Sequence, residues 1–155
     1  MEKTNVMRML EQKKIQYKSY SYADTDAISG MEVAMTLHQD PEQVFKTLVA
    51  KASSKKNYVF LIPVNKELNL KKAAKAVKEK KIEMLKAKEL LPLTGYIHGG
   101  CSIIGMKKFF NTTIDESAIL QDTIIFSGGK IGYQVEVSLN DLEKIITFEC
   151  ADLTD

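Results

Sequence analysis

Three short stretches carry most of the chain's chemical potential. In Val44-Phe45-Lys46-Thr47-Leu48-Val49-Ala50 a single charge sits near the start of an apolar, strand-like run. In Gly95-Tyr96-Ile97-His98-Gly99-Gly100-Cys101 a glycine pair precedes a cysteine, and in Ser127-Gly128-Gly129-Lys130 a second glycine pair separates two apolar runs. A lysine inside a strand must snorkel its ammonium to water, meet an anion or lose its proton. The residues leave two readings of Lys46 open: a lysine whose stem crosses a sheet edge to water, or a site lysine. Glycine pairs let a backbone approach a ligand closely, and they serve equally in hairpin turns that need positive φ. Neither pair has the GxGxxG or Walker spacing. No Ser/His/Asp or Cys/His set offers an activated nucleophile. His38 and His98 stand alone and read as structural. Cys101 and Cys150 fall in no CxxC or metal-ligand spacing, so both are read as free thiols, and no metal or cofactor is assigned.

The frame for these stretches is one ordinary folded domain over residues 1–155, long enough to bury roughly 70% of its unfolded surface. With 45% hydrophobic and 27% charged residues, three prolines and eight glycines, the composition excludes a disordered or fibrous chain. No apolar run approaches the roughly 20 residues of a membrane span, and Met1-Glu2-Lys3-Thr4 does not open a signal peptide. A cytoplasmic protein without membrane contact is expected. The net charge of +2 is too small to announce a DNA binder, yet it is unevenly spread. Nine lysines fall between Lys66 and Lys88, and nine acidic residues between Asn111 and Asp155. A lysine face gathered near a pocket would suit phosphates.

Periodicity places the elements. Thr4 caps a helix through about Lys14, and Tyr17 to Tyr22 alternates as a strand with Tyr20 and Tyr22 on one face. Ser29-Gly30-Met31-Glu32 has capping-box spacing, and Asp40-Pro41 starts a further helical turn. Val44–Ala50 and Tyr58–Ile62 form a central hairpin, ended by Pro63. Asn69 caps a helix to about Lys78 with Leu70, Ala73, Ala74 and Val77 inward. Lys81–Met84 reads as a short strand, and Ala87–Leu91 as a helix stopped by Pro92. Gly95–Gly105 combines a strand with a glycine-rich bend. Ile124–Val137 reads as strand, Ser-Gly-Gly turn and strand. Ser138 caps a last helix, and Phe148–Ala151 adds an edge strand.

Taken in order, Val44-Phe45-Lys46-Thr47-Leu48, Leu70-Lys71-Lys72-Ala73-Ala74-Lys75-Ala76, Thr94-Gly95-Tyr96 through Gly99-Gly100, and Ser127-Gly128-Gly129-Lys130 with Gly132 resemble the bacterial YbaK/EbsC family of aminoacyl-tRNA deacylases. That family is related to the editing domain of prolyl-tRNA synthetases. The resemblance implies an α/β fold in which a mixed, partly barrel-like β-sheet is flanked by helices. It also implies hydrolysis of cysteine wrongly attached to proline tRNA. Lys46 becomes the central site lysine at the terminal adenosine, with Thr47 beside it and Tyr22 in the pocket. Gly99 and Gly100, followed by Cys101, bring backbone to the ester, and Ser127, Gly128 and Gly129 form a second pocket edge. Gln134 stands where the family commonly has an acidic residue, Ile103 where it commonly has proline, and Glu136 matches. The implied chemistry uses the substrate: the thiol of the bound cysteine attacks its own carbonyl and leaves as a cyclic thiolactone. Aminoacyl-tRNA, held by its acceptor end, is the implied partner, with prolyl-tRNA synthetase a candidate second one. A monomer is expected.

Overall fold

Side-chain caps open four of the five helices where the sequence places them. A computed structural model describes residues 2–155. Thr4 accepts from the Met7 N–H at the start of α1 (Asn5–Gln12), and Ser29 and Glu32 close a reciprocal capping box on α2 (Gly30–Thr36). Asn69 caps α3 (Leu70–Ala76) and Ser138 caps α5 (Leu139–Leu142). The fourth helix, α4 (Ala87–Thr94), has no side-chain cap and runs through Pro92. This corrects the expected stop at Pro92. The helix ends at Gly95, whose φ of 84° supplies the left-handed cap that a proline cannot.

Eight strands follow in order: β1 (Lys18–Ser21), β2 (Phe45–Ala52), β3 (Asn57–Pro63), β4 (Ile82–Met84), β5 (Asn111–Asp115), β6 (Ile124–Ser127), β7 (Tyr133–Val137) and β8 (Glu149–Ala151). They form a three-stranded sheet β1-β7-β6 and a five-stranded sheet β4-β2-β3-β5-β8, linked at a parallel bridge between Val44 and Ile125. The curl is thus partial, and the sheets do not close into a barrel. Both expected hairpins form: β2 with β3 from Phe45–Pro63 to Lys51–Asn57, and β6 with β7 from Ile124–Val137 to Ser127–Gln134.

Strand alternation divides the core. Phe45 and Val49 of β2 and Val59 and Leu61 of β3 face the larger core beneath α1 and the small sheet, where Leu90 and Leu93 of α4 also pack. Leu48, Ala50 and Ala52, with Tyr58, Phe60 and Ile62, face a second core closed by Ala73 and Ala74 of α3. Helices α3 and α4 therefore lie on opposite faces of one hairpin. The lysine run between Lys66 and Lys88 is split between them and forms no single face.

Other expectations are corrected. The segment between α4 and β5 holds no strand at Gly95–Gly105. Positive φ at Gly95, Gly99 and Gly105 bends it repeatedly, and the Tyr96 hydroxyl donates to the Ile104 carbonyl at 2.6 Å to close it on itself. Asp40–Gln43 makes only the single helical turn expected, closed by Val44 N–H on the Asp40 carbonyl at 3.3 Å. Leu70 is 42% exposed instead of inward, because α3 begins at the sheet's margin and docks through its alanines. Strand β5 was not anticipated. Its Thr-Thr-Ile sequence is buried and runs parallel to β3.

Candidate active site

The cleft lies along a gap in the edge of β2. Successive residues of a strand direct their N–H and C=O groups to opposite edges. The Val44 carbonyl accepts from Val64 on the β3 side, whereas the Val49 carbonyl accepts from Leu85 on the other. Thr47, two residues before Val49, therefore turns its backbone groups away from β3. On that edge β6 reaches only as far as Gln43 and Val44, through Ile125 N–H to the Gln43 carbonyl at 2.9 Å. Strand β4 pairs only Ala50–Ala52. Thr47 sits in the interval between them.

A cleft of ≈ 450 Å3 occupies this interval. Because it runs along an edge, it takes side chains of both parities, Lys46 and Leu48 from one face and Phe45 and Thr47 from the other. Lys46 thus stands on a strand whose open edge lines the cleft, which both readings of it require. Its side chain is 30% exposed, and its nearest carboxylate is Glu67 at 3.8 Å, itself 91% exposed. So exposed a pair holds the ammonium weakly. Thr47 Oγ1 is buried and has no hydrogen-bond partner among the described residues.

Val64 and Glu67 after β3 and Leu90 of α4 add to the wall, and four other segments supply most of the rest. Tyr22 follows β1, and Ser29–Met31 open α2. His98, Gly99 and Cys101 come from the glycine loop, while Ser127, Tyr133 and Gln134 come from the β6–β7 hairpin. Gln134 is 5% exposed and exchanges amide hydrogen bonds with Gln39 at 2.9 and 3.3 Å, so the pocket wall there is neutral and satisfied. Glu136 lies elsewhere, accepting from Tyr20 at 2.5 Å and Thr123 at 2.7 Å. Burial pushes the Cys101 thiol up to about 11, only partly opposed by a hydrogen bond with Thr94, so it stays protonated at neutral pH. Such a thiol is a poor nucleophile.

Of the residues singled out from sequence, Lys46, Thr47, Tyr22, Gly99, Cys101, Ser127 and Gln134 meet in this cleft. Gly100, Gly128 and Gly129 lie behind it. A Cβ on Gly100 would stand 3.2 Å from the Ile131 backbone nitrogen, and one on Gly128 would meet the Tyr133 backbone at 3.2 Å. Gly129 (φ 92°) leaves room for Val6, and the Ser127 hydroxyl accepts from its N–H at 3.1 Å. These glycines let the two turns press together, which sets Gly99 and Ser127 at the cleft. Glu67, His98 and Tyr133 were missed. His98 was read as structural for want of a partner at ligand spacing, and nothing in sequence brings residue 67 to residue 46. Among the described residues no three His, Cys, Asp or Glu side chains gather as a metal site.

Residues 25–145 match the family model of the aminoacyl-tRNA editing domain. The chain belongs to this editing-domain family. Its likeness extends to a relative from Enterococcus faecalis, provisionally named the Cys-tRNA(Pro)/Cys-tRNA(Cys) deacylase EbsC, at 45% identity over 99% of this chain and 94% of the relative. A crystal structure provisionally described as a trans-editing enzyme for prolyl tRNA synthetase superposes with a TM-score of 0.82 at 21% identity, covering 99% of both chains. The hypothetical protein APE2540 superposes at 0.86 and 19% identity, covering 98% of this chain and all of its own. The editing domain seen here is thus an aminoacyl-tRNA deacylase by family, with the fold its sequence resemblance implied. Among the described residues, no helix is long and apolar enough to cross a membrane.

Proposed function

We propose that residues 1–155 act as one unit, a trans-acting deacylase that clears cysteine from mischarged proline tRNA in the cytoplasm, where charged tRNA is used. The name of the E. faecalis relative supports the substrate. The observation that carries the mechanism is a cleft with a weakly paired cation and a hydrogen-bonding strand edge, but a cysteine held protonated by burial. Such a site can bind and orient an ester better than it can attack one.

Attack then falls to the substrate. The cysteinyl thiol loses its proton and its sulfur bonds to the carbonyl carbon. The ester C–O bond breaks, the terminal ribose oxygen takes a proton, and a cyclic thiolactone leaves. Holding thiol and carbonyl together is worth roughly 7–11 kcal/mol in favourable intramolecular cases. Lys46 fixes the nucleotide end by charge, while the Thr47 hydroxyl and N–H and the Gly99 backbone stand ready for the developing oxyanion. The neutral Gln134–Gln39 wall leaves pocket charge to Lys46 and Glu67.

A panel of charged tRNAs, with products resolved by mass spectrometry, tests this reading. Cys-tRNA(Pro) is expected to yield thiolactone. Preferred cleavage of Ala-tRNA(Pro) would establish water attack, for which His98 is the base at hand in the cleft. Salt-sensitive tRNA binding without cleavage would make the protein a binding module.

A further inference from the structure

We propose that a lysine-lined groove next to the cleft carries the phosphodiester backbone of the tRNA acceptor stem, so that the charged end enters the cleft across α4. This rests on the deacylase reading and extends it from the ester to the nucleic acid behind it. The groove, ≈ 600 Å3, is walled by Lys51 and Lys55 of the β2–β3 hairpin, Lys88 of α4 and Lys108 of the loop before β5. Glu89 is the carboxylate in that wall.

Five of the described lysines are ion-paired, Lys3 with Glu11, Lys46 with Glu67, Lys72 with Asp152, Lys130 with Glu2 and Lys144 with Asp141, and the groove lysines belong to the larger unpaired set. Among the described residues no carboxylate lies within 4.0 Å of the four groove ammoniums. Three elements thus bring four unpaired ammoniums to one concavity that also holds Glu89, with Glu83 opposite Lys51 across β2 and β4, and the excess of positive charge favours an anion there. Lys55 has a left-handed φ of 76°, as Lys14 and Lys78 have outside the groove, so glycine can replace it without backbone strain. Phe109, next to Lys108 in sequence and 75% exposed, lines the neighbouring hollow with it and offers a face for an unpaired base. That combination suits nucleic acid better than an acidic protein surface.

The groove is also in the right place. Leu90 of α4 lines the cleft, while Lys88, Pro92 and Leu93 of the same helix line the groove. Lys51 lies four residues along β2 from Thr47, about 13 Å at the usual strand rise. The lysines of α3 face the opposite side of the hairpin, and Lys72 there is tied to Asp152 and the Thr154 carbonyl.

The test compares the wild-type protein with the triple variant Lys55→Gly, Lys88→Gln, Lys108→Gln. Association with purified uncharged tRNA(Pro) is measured by anisotropy from ~50 to ~200 mM salt. The variant should lose about three from the slope of log K against log salt, one per phosphate contact. Its KM for charged tRNA should rise at least tenfold at ~0.15 M salt, as counterion release predicts for about three lost contacts. Cleavage of an aminoacyl-adenosine ester, which reaches only the cleft, should stay at the wild-type rate. Lys55→Gly alone should bind tRNA more weakly while melting no lower than wild type, which separates loss of contact from loss of fold. An unchanged slope and KM overturn the groove alone, as does a wild type with no salt-dependent tRNA binding. Unchanged tRNA affinity together with lost binding of purified prolyl-tRNA synthetase would overturn it in favour of a protein partner. A wild type that binds tRNA through these lysines yet cleaves no ester keeps the groove and sinks the deacylase reading.

Discussion

Lys46 and Thr47 are neighbours in sequence, yet substitution should expose different debts. Lys46 is partly exposed and held only by a distant, exposed Glu67, so Lys46→Ala should leave the melting temperature near wild type. Single-turnover deacylation should fall by roughly 10²-fold or more, the usual cost of removing a group that stabilises developing or bound charge. Thr47 Oγ1 is buried without a partner, a state that costs stability. Thr47→Val, nearly isosteric, should therefore raise stability or leave it unchanged while slowing cleavage. A Thr47→Val enzyme with full activity would remove the hydroxyl from the mechanism. Lys46 stood out in sequence, since a charge in an apolar strand is visible there, whereas Thr47 entered only through the family resemblance. That Thr47 faces an unpaired edge was not visible, because the gap is made by where β4 and β6 stop, far along the chain.

At the scale of elements, α2 depends on one close approach. A Cβ on Gly30 would sit 2.5 Å from Val64 Cγ1, a buried and branched side chain that cannot swing away. Gly30→Ala gains helix propensity but overpacks this contact, and we expect a net loss of about 1–2 kcal/mol in urea unfolding. Ser29–Met31 line the cleft, so KM should rise with it. An alanine variant as stable as wild type would show that α2 can shift freely. Caps and hairpins were legible because they depend on local spacing, as the Ser29–Glu32 capping box and the β2–β3 register confirm. Pro92 misled because its ring is compatible with helical φ and costs one hydrogen bond, whereas Gly95 decides the end. Strand β5 escaped notice because a buried strand joined in parallel to β3 has no turn beside it to announce the pairing.

Three tyrosine–glutamate hydrogen bonds hold the molecule at different ranges: Tyr17 to Glu11 locally, and Tyr20 to Glu136 and Tyr58 to Glu79 between separate segments. All three phenols are raised from 10.0 to about 12, Tyr17 chiefly by burial and the other two chiefly by the glutamate bond. A raised folded value means stability that is complete below pH 10 and lost as pH climbs towards 12. The carboxyls of Glu11, Asp141 and Asp152 are instead lowered, chiefly by hydrogen bonds from Lys3, Lys144 and Lys72. Their contribution is present above the ordinary values of 4.5 and 3.8 and is lost as pH falls through the lower folded ones. Thermal melts should therefore show a plateau with an acid limb below about pH 4 and an alkaline limb above about pH 10. A decline beginning near neutrality would contradict this assignment. The sequence resemblance reached the family and named seven residues that line the cleft, yet the lysine run it displayed was divided by the fold, and the groove it did not display draws Lys51, Lys55, Lys88 and Lys108 from separate segments. The most direct test of the central claim is single-turnover hydrolysis of purified Cys-tRNA(Pro). Wild-type protein should cleave it well above the spontaneous rate, with Lys46→Ala falling back towards that rate; a wild type no faster than spontaneous hydrolysis would contradict the account.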